Sequence, residues 1–201
     1  MTVEELYDKL QSPGFQNTEE GDLFYNFYIY LYDAEKEYEI RKQIRQFKEN
    51  LIRPTSFVDV LTLNLYEAFC EFMDGLSFGK KHPSYLKYLF DKGAENQDAV
   101  MRSLTTKANS KEFYEYIHQR ILTYISAETE YKRPYVFLYG IGQMYPLLRT
   151  NVFLTNYEAY NEVNKYKIIV FYPGKQEENT FSLFGCLEDV HTYRATLLIN
   201  D

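Results

Sequence analysis

The chain reads as an α/β fold: a mostly parallel central sheet flanked by helices, Rossmann-like or akin to a degenerate P-loop NTPase, with a helical subregion at about 84–130. Three observations lead there. Short apolar, β-branched or aromatic runs alternate with stretches of helical period. The segments between runs are long enough to be helical crossovers, which makes the strands they join parallel. Capping residues or glycines stand directly after the runs, where strands give way to helices.

Val3 to Gln11 carries apolar residues at 3, 6, 7 and 10, a helical spacing that "SPG" at 12–14 ends. "LFYNFYIYLY" at 23–32 is a continuous apolar and aromatic run of strand length. Asp33 follows where an N-cap belongs. A helix then runs to Leu51, with Tyr38, Ile40, Ile44, Phe47 and Leu51 as its apolar stripe. The pattern repeats in "FVDVLTL" at 57–63 and a helix with Leu65, Phe69, Phe72 and Met73 on one face, closed by Gly75. From 84 to 130 the spacing stays helical, and Phe113, Ile117, Ile121, Leu122 and Ile125 share one side of the last helix. "PYVFLYG" at 134–140 is a strand, "QMYPLLRT" a short helix and "KYKIIVFYPG" at 165–174 a strand ending in glycine. "TFSLFG" and "RATLLIN" read as closing strands.

Prolines are scattered singly and no linker or repeat interrupts the 201 residues, so a single α/β domain over 1–201 is expected. Twenty-one Tyr and fifteen Phe with no Trp mean that many core positions must also place a phenolic hydroxyl at a polar edge. The net charge of −7 sets the whole-molecule field against a phosphate backbone, so no direct nucleic-acid binding is expected. The basic exception, Arg41, Lys42, Arg45 and Lys48, reads as a solvated helix face. Cys70 and Cys186 lie too far apart in sequence for a zinc ribbon and give no disulfide framework. "MTVEELYDKLQS" has neither the basic nor the apolar part of an export signal, and no run approaches a membrane span, which points to the cytoplasm.

Ligands of open α/β sheets bind beyond the carboxyl ends of the strands. Those ends carry Asp33, Asn64, Gly140-Ile141-Gly142 and Pro173-Gly174-Lys175. A Walker A loop, GxxxxGK[ST], fails because Tyr145, Pro146 and Leu147 stand where glycine, lysine and a hydroxyl are needed. A dinucleotide GxGxxG fails at Tyr145 as well. Gly140 and Gly142 are then a turn aiming a Tyr145–Arg149 helix across the carboxyl edge, or a site where free N–H groups hold an anion. Glu115 with His118 and Glu188 with His191 have the ExxH spacing of di-iron bundles, but only the first pair is helical, in a Tyr-rich amphipathic stretch where a surface or half-buried histidine is the ordinary reading, and no metal, cofactor or catalytic residue is expected. No GxSxG or HExxH is present either.

The ordered set "YIYLYDAEKEYEIRKQI", "VDVLTLNLYEAFCEFM", "PYVFLYGIGQMYPLLRTNVFLTN", "IIVFYPGK" and "FSLFGCLEDVHTYRATLL" resembles the BrxB family of bacteriophage exclusion (BREX) defence systems, over about residues 20–199. The family pattern falls on Tyr32, Asp33, Glu37 and Arg41; on Gly140, Gly142, Tyr145, Pro146 and Arg149; on Pro173 and Gly174; and on Tyr193, Arg194 and Ala195. Ala34 departs from it, since many relatives carry proline there. The resemblance implies a cytoplasmic, non-enzymatic subunit that works beside an ATPase, a methyltransferase and an alkaline-phosphatase-like protein. It makes Tyr32, Asp33, Glu37, Arg41, Gly140, Gly142, Arg149, Pro173, Gly174 and Arg194 the candidate interaction or anion-binding residues. Two readings stay open: an assembly subunit, or a nucleotide- or anion-sensing domain with Asp33, the glycines and one of Arg41, Arg149 or Arg194 around a phosphate.

Overall fold

A computed structural model describes residues 1–19, 26–160, 165–177, 180–188 and 196–197. In chain order the elements are α1 (Val3–Gln11), α2 (Pro13–Gln16), β1 (Phe27–Tyr32), α3 (Glu37–Leu51), β2 (Val58–Asn64) and α4 (Leu65–Gly75). There follow α5 (Tyr85–Gly93), α6 (Gln97–Ala108), α7 (Lys111–Ser126), β3 (Lys132–Tyr139), α8 (Ile141–Met144) and α9 (Thr150–Tyr157). The chain closes with β4 (Lys167–Glu177), β5 (Thr180–Leu183), β6 (Leu187–Glu188) and β7 (Thr196–Leu197).

The sheet runs β2-β3-β4-β1-β7, and these strands are parallel, as the sequence predicts. β1 and β2, read as consecutive parallel strands, are separated by β3 and β4. That order decides where the helices go. The connection from β1 to β2 travels one way along the sheet, and those from β2 to β3 and from β3 to β4 travel the other, so right-handed crossovers put them on opposite faces. One face is covered by Leu6 and Leu10 of α1 and by Ile40, Ile44, Phe47 and Leu51 of α3, packed on Tyr28, Tyr30, Tyr135, Phe137 and Phe171. The other is covered by α4 to α9, with Phe69, Phe113, Ile117 and Phe153 against Ile29, Val136, Leu138 and Val170. Phenols on the first face find partners at its margins: Tyr135 donates to the Leu10 carbonyl at 3.1 Å.

Helix starts follow side-chain capping. Thr2 and Glu5 form a capping box on α1, while Asn64, Ser84, Asn96 and Ser110 cap α4, α5, α6 and α7. Asp33 does not: it stands ahead of a 3-10 turn at Ala34–Lys36 and its side chain makes no cap hydrogen bond, so α3 begins at Glu37. Tyr38 leaves the stripe expected of it and is 81% exposed. It lies two residues before Ile40, about 200° away around the helix, whereas Ile40, Ile44, Phe47 and Leu51 keep the i, i+4, i+7, i+11 spacing.

"QMYPLLRT" is not one helix. α8 is a single turn at Ile141–Met144, and Tyr145 is extended at φ −69°, ψ 136°. Pro146 disfavours the helical region at the residue before it and brings no N–H, so the helix resumes only at Thr150. β4 does not stop at Gly174 either; it continues to Glu177 and folds back antiparallel onto β5. Part of the expected 23–32 strand, and most of "RATLLIN", lie outside the described residues.

Candidate functional site

At the carboxyl edge, parallel register sets Tyr32 opposite Pro173, so Asp33 and Gly174 emerge side by side. On the other flank Asn64 pairs with Tyr139, which places the end of β2 beside Gly140. A hydrogen-bonded chain spans these ends. The Tyr32 hydroxyl donates to Glu37 Oε2, and Glu37 Oε1 accepts from Arg41 Nε at 2.7 Å. Arg41 Nη2 donates to Gln143 Oε1 at 2.6 Å, and the same oxygen accepts from Asn64 Nδ2 at 3.3 Å. Asn64 Oδ1 in turn accepts from the Tyr66 and Glu67 N–H groups at the start of α4. Four elements, β1, α3, β2 and α8, are thereby fixed to one another. Burial raises the Tyr32 phenol far above the ordinary tyrosine range, and the hydrogen bond to the Glu37 carboxylate adds to it, so Tyr32 stays a neutral donor.

The glycines are demanded by neighbours. Gly140 has φ +75°, and a Cβ there would lie 2.2 Å from Asn64 Oδ1, the atom that caps α4. A Cβ on Gly142 would fall 2.7 Å from the Phe184 ring and 3.3 Å from Pro173, because the turn after β5 lays Phe184 over α8. At Gly174 it would meet the Ser182 carbonyl oxygen at 2.2 Å, across the β4–β5 pair. Each glycine marks a close approach within the fold, and Gln143 N donates to the Gly140 carbonyl at 3.1 Å to close the single turn of α8.

A cavity of about 690 Å³ opens where β1 and β4 diverge. The connection from β1 leads one way along the sheet and the chain beyond β4 the other, so this is the topological switch point at which α/β folds hold ligands. Its charged lining is mixed: Lys36 and Lys175 against Glu4, Asp33 and Glu39, with Gln43 and Gly174 between them. Tyr30 forms part of the wall; burial first, then Glu4, Glu5 and Glu39, push its pKa up to about 12.

The candidate residues therefore divide. Tyr32, Asp33 and Gly174 line the cavity. Glu37, Arg41 and Gly140 belong to the hydrogen-bonded chain and its turn, and Gly142 and Pro173 to the Phe184 contact. Arg149 is exposed at the N-cap of α9 and faces neither the core nor the cavity lining. Arg194 lies outside the described residues. Sequence reasoning placed Lys175 at a strand end without giving it a role, and passed over Gln143, the hub that joins Arg41 to Asn64, and Lys36, which lines the cavity with Lys175. Nothing in the sequence signalled Gln143; Lys36 could have been found by reading one helical turn past the end of β1.

Other readings are filled by ordinary contacts. Glu115 pairs with Lys111 at 3.1 Å, and His118 packs on the Tyr157 and Tyr160 rings, so this ExxH pair has structural partners; His191 is outside the described residues. Among the described residues no three His, Cys, Asp or Glu side chains gather closely enough to hold a metal ion. Among them, too, no helix is long and apolar enough to cross a membrane.

Comparison with known proteins gives a family match and one relative. The family described as BREX protein BrxB matches residues 61–198. A BREX protein BrxB of Bacillus cereus (strain H3081.97) is 25% identical over 199 residues, which cover 98% of this chain and 96% of that protein. No solved structure matches the chain.

Proposed function

The chain belongs to the BrxB family of BREX proteins, and from that premise we propose that it is a non-catalytic assembly subunit of its defence system, holding partner subunits against the carboxyl edge of its sheet. One observation carries this reading. The edge is locked by the Tyr32–Glu37–Arg41–Gln143–Asn64 chain, and large exposed aromatics stand around it: Tyr38 at 81%, Tyr66 at 38% and Phe184 at 41%. A rigid polar platform rimmed by tyrosine and phenylalanine suits protein contact, where aromatics provide anchors and fixed polar groups provide register. The partners are the alkaline-phosphatase-like, ATPase and methyltransferase subunits, and the setting is the cytoplasm. Co-expression with those subunits and capture through a tag on this chain tests it. At least one subunit is expected to co-purify in stoichiometric amount, and recovery of this chain alone would overturn the reading.

The cavity between β1 and β4 favours a second reading, a nucleotide- or anion-sensing domain, because Lys36 and Lys175 both face it. Three carboxylates in the same lining oppose an anion, which ranks this reading second. Thermal unfolding with ATP, GTP and cyclic nucleotides decides it. A ligand present at about 100 times its Kd adds about 2.7 kcal/mol, and no shift with any of them removes the option.

A further inference from the structure

Residues 75–90, between the end of α4 and the last turn of α5, contain Lys80, Lys81, His82 and Lys87 and not one carboxylate, in a chain whose net charge is −7. The same stretch carries Phe78, Tyr85, Tyr88 and Phe90. The fold gathers Phe78, His82, Tyr85 and Tyr88 into a knuckle. Phe78 N donates to the His82 carbonyl at 2.8 Å across a tight turn, Gly79 takes φ +62°, and Lys80 and Lys81 stand exposed at its tip. Asp74 and Asp91 border the stretch; Ser84 Oγ donates to Asp74 Oδ1 at 2.6 Å, and Lys92 is paired with Glu95 at 2.7 Å. The rings are close to parallel: Phe78 lies 4.3 Å from Tyr88 and 5.3 Å from Tyr85, centroid to centroid, with interplanar angles of 19° and 15°. Phe78 nonetheless remains 45% exposed.

We propose that this knuckle is a binding site for single-stranded nucleic acid, sequence-tolerant, with its lysines at phosphates and a base stacked on the open part of Phe78. Both halves of the feature are then used. Single strands present phosphates and unstacked π faces together, and proteins hold them with cations beside aromatic platforms. An acidic peptide would engage the lysines and leave the ring array without a role; a duplex keeps its base faces covered. The acidic remainder of the protein does not cancel the site, because at about 0.15 M salt charges are screened beyond roughly 8 Å. For this one face, the site departs from the expectation drawn from net charge. It is independent of the carboxyl-edge reading.

The test is fluorescence anisotropy of a labelled oligothymidylate with the full chain, beside a duplex of equal length. The single strand is expected to bind at least five-fold tighter than the duplex. With about three phosphates neutralised, affinity should fall roughly 20-fold between 50 and 200 mM salt. The double variant K80E/K81E changes only exposed tip residues, so it should keep the wild-type circular dichroism and lose more than about ten-fold in affinity. Phe78→Ala should lose about ten-fold by removing the stacking partner. No binding, equal affinity for the duplex, an unaffected K80E/K81E, or displacement of the oligonucleotide by poly-glutamate at equal charge concentration would each overturn the proposal.

Discussion

The two edges of the sheet treat their polar groups in opposite ways. At the amino edge charges are sealed in. Lys167, 2% exposed, donates to the Phe15 carbonyl at 2.8 Å and lies 4.5 Å from that residue's ring centre. Asp59 and Arg133 pair at 3.4 Å with side chains 15% exposed, and Arg133 also donates to the Tyr124 and Ala127 carbonyls at the end of α7. At the carboxyl edge the pair Glu37–Arg41 is about twice as exposed, at 32% and 30%, and its hydrogen bonds reach outward to Gln143. Both edges join layers through polar groups, but the amino edge encloses them, whereas the carboxyl edge leaves them partly open beside exposed aromatics. Removing a charged side chain at the first should destabilise the protein without a specific effect on partners, and removing one at the second should do the reverse; the glycine turns of the carboxyl edge are backbone features and follow stability instead.

The largest effect expected is alkaline unfolding. The Tyr32 and Tyr135 phenols are buried and held neutral, their pKa raised first by burial, and an unfolded chain ionises them near pH 10. A raised folded pKa gives stability that is complete below the unfolded value and is lost as pH climbs towards the folded one. Stability should therefore be level from pH 7 to 9.5 and then fall, by on the order of 1.4 kcal/mol per pH unit for each phenol kept neutral. Urea unfolding at stepped pH reads the loss, and stability that stayed level through pH 11 would show these phenols to be open.

Next in size is the amino-edge pair. Arg133→Ala leaves Asp59 without its partner in a half-sealed site and should cost about 2–3 kcal/mol, a Tm drop of roughly 6–9 °C. Partner capture by the folded fraction should be unchanged. Gly140→Ala forces a side chain into φ +75° and against the Asn64 cap, and about 2 kcal/mol is expected in urea unfolding. The smallest is Arg41→Ala. Its pair is about a third exposed, so the loss should stay under about 0.5 kcal/mol, while partner capture should weaken. If Arg41→Ala destabilised as much as Arg133→Ala, the distinction between the edges would collapse.

Much of this arrangement can be read before any coordinates. Strand–helix alternation gives the parallel sheet because that signal is local; the one cap residue read from it, Asp33, makes no cap hydrogen bond, whereas Asn64 and Ser110 do. Tyr38 misleads by composition; its two-residue offset from Ile40 would have put it outside, where it stands. Pro146 carried its own warning against a continuous helix. What stays out of reach is pairwise and distant. Strand order places β1 beside β4, yet no local pattern expresses it, and with it goes the position of the cavity. The need for glycine at 142 and 174 comes from Phe184 and Ser182, residues far along the chain whose approach only the assembled sheet reveals.

The central claim, that the carboxyl edge is the partner-binding surface, is tested most directly by a double substitution there, Tyr38→Glu with Tyr66→Glu, in a chain co-expressed with the other subunits of the system. Both residues are exposed and follow strand ends, so the variant should keep the wild-type Tm within about 2 °C. The account predicts that wild-type chain captures a partner subunit and the variant does not. Capture by the variant at the wild-type level would contradict it.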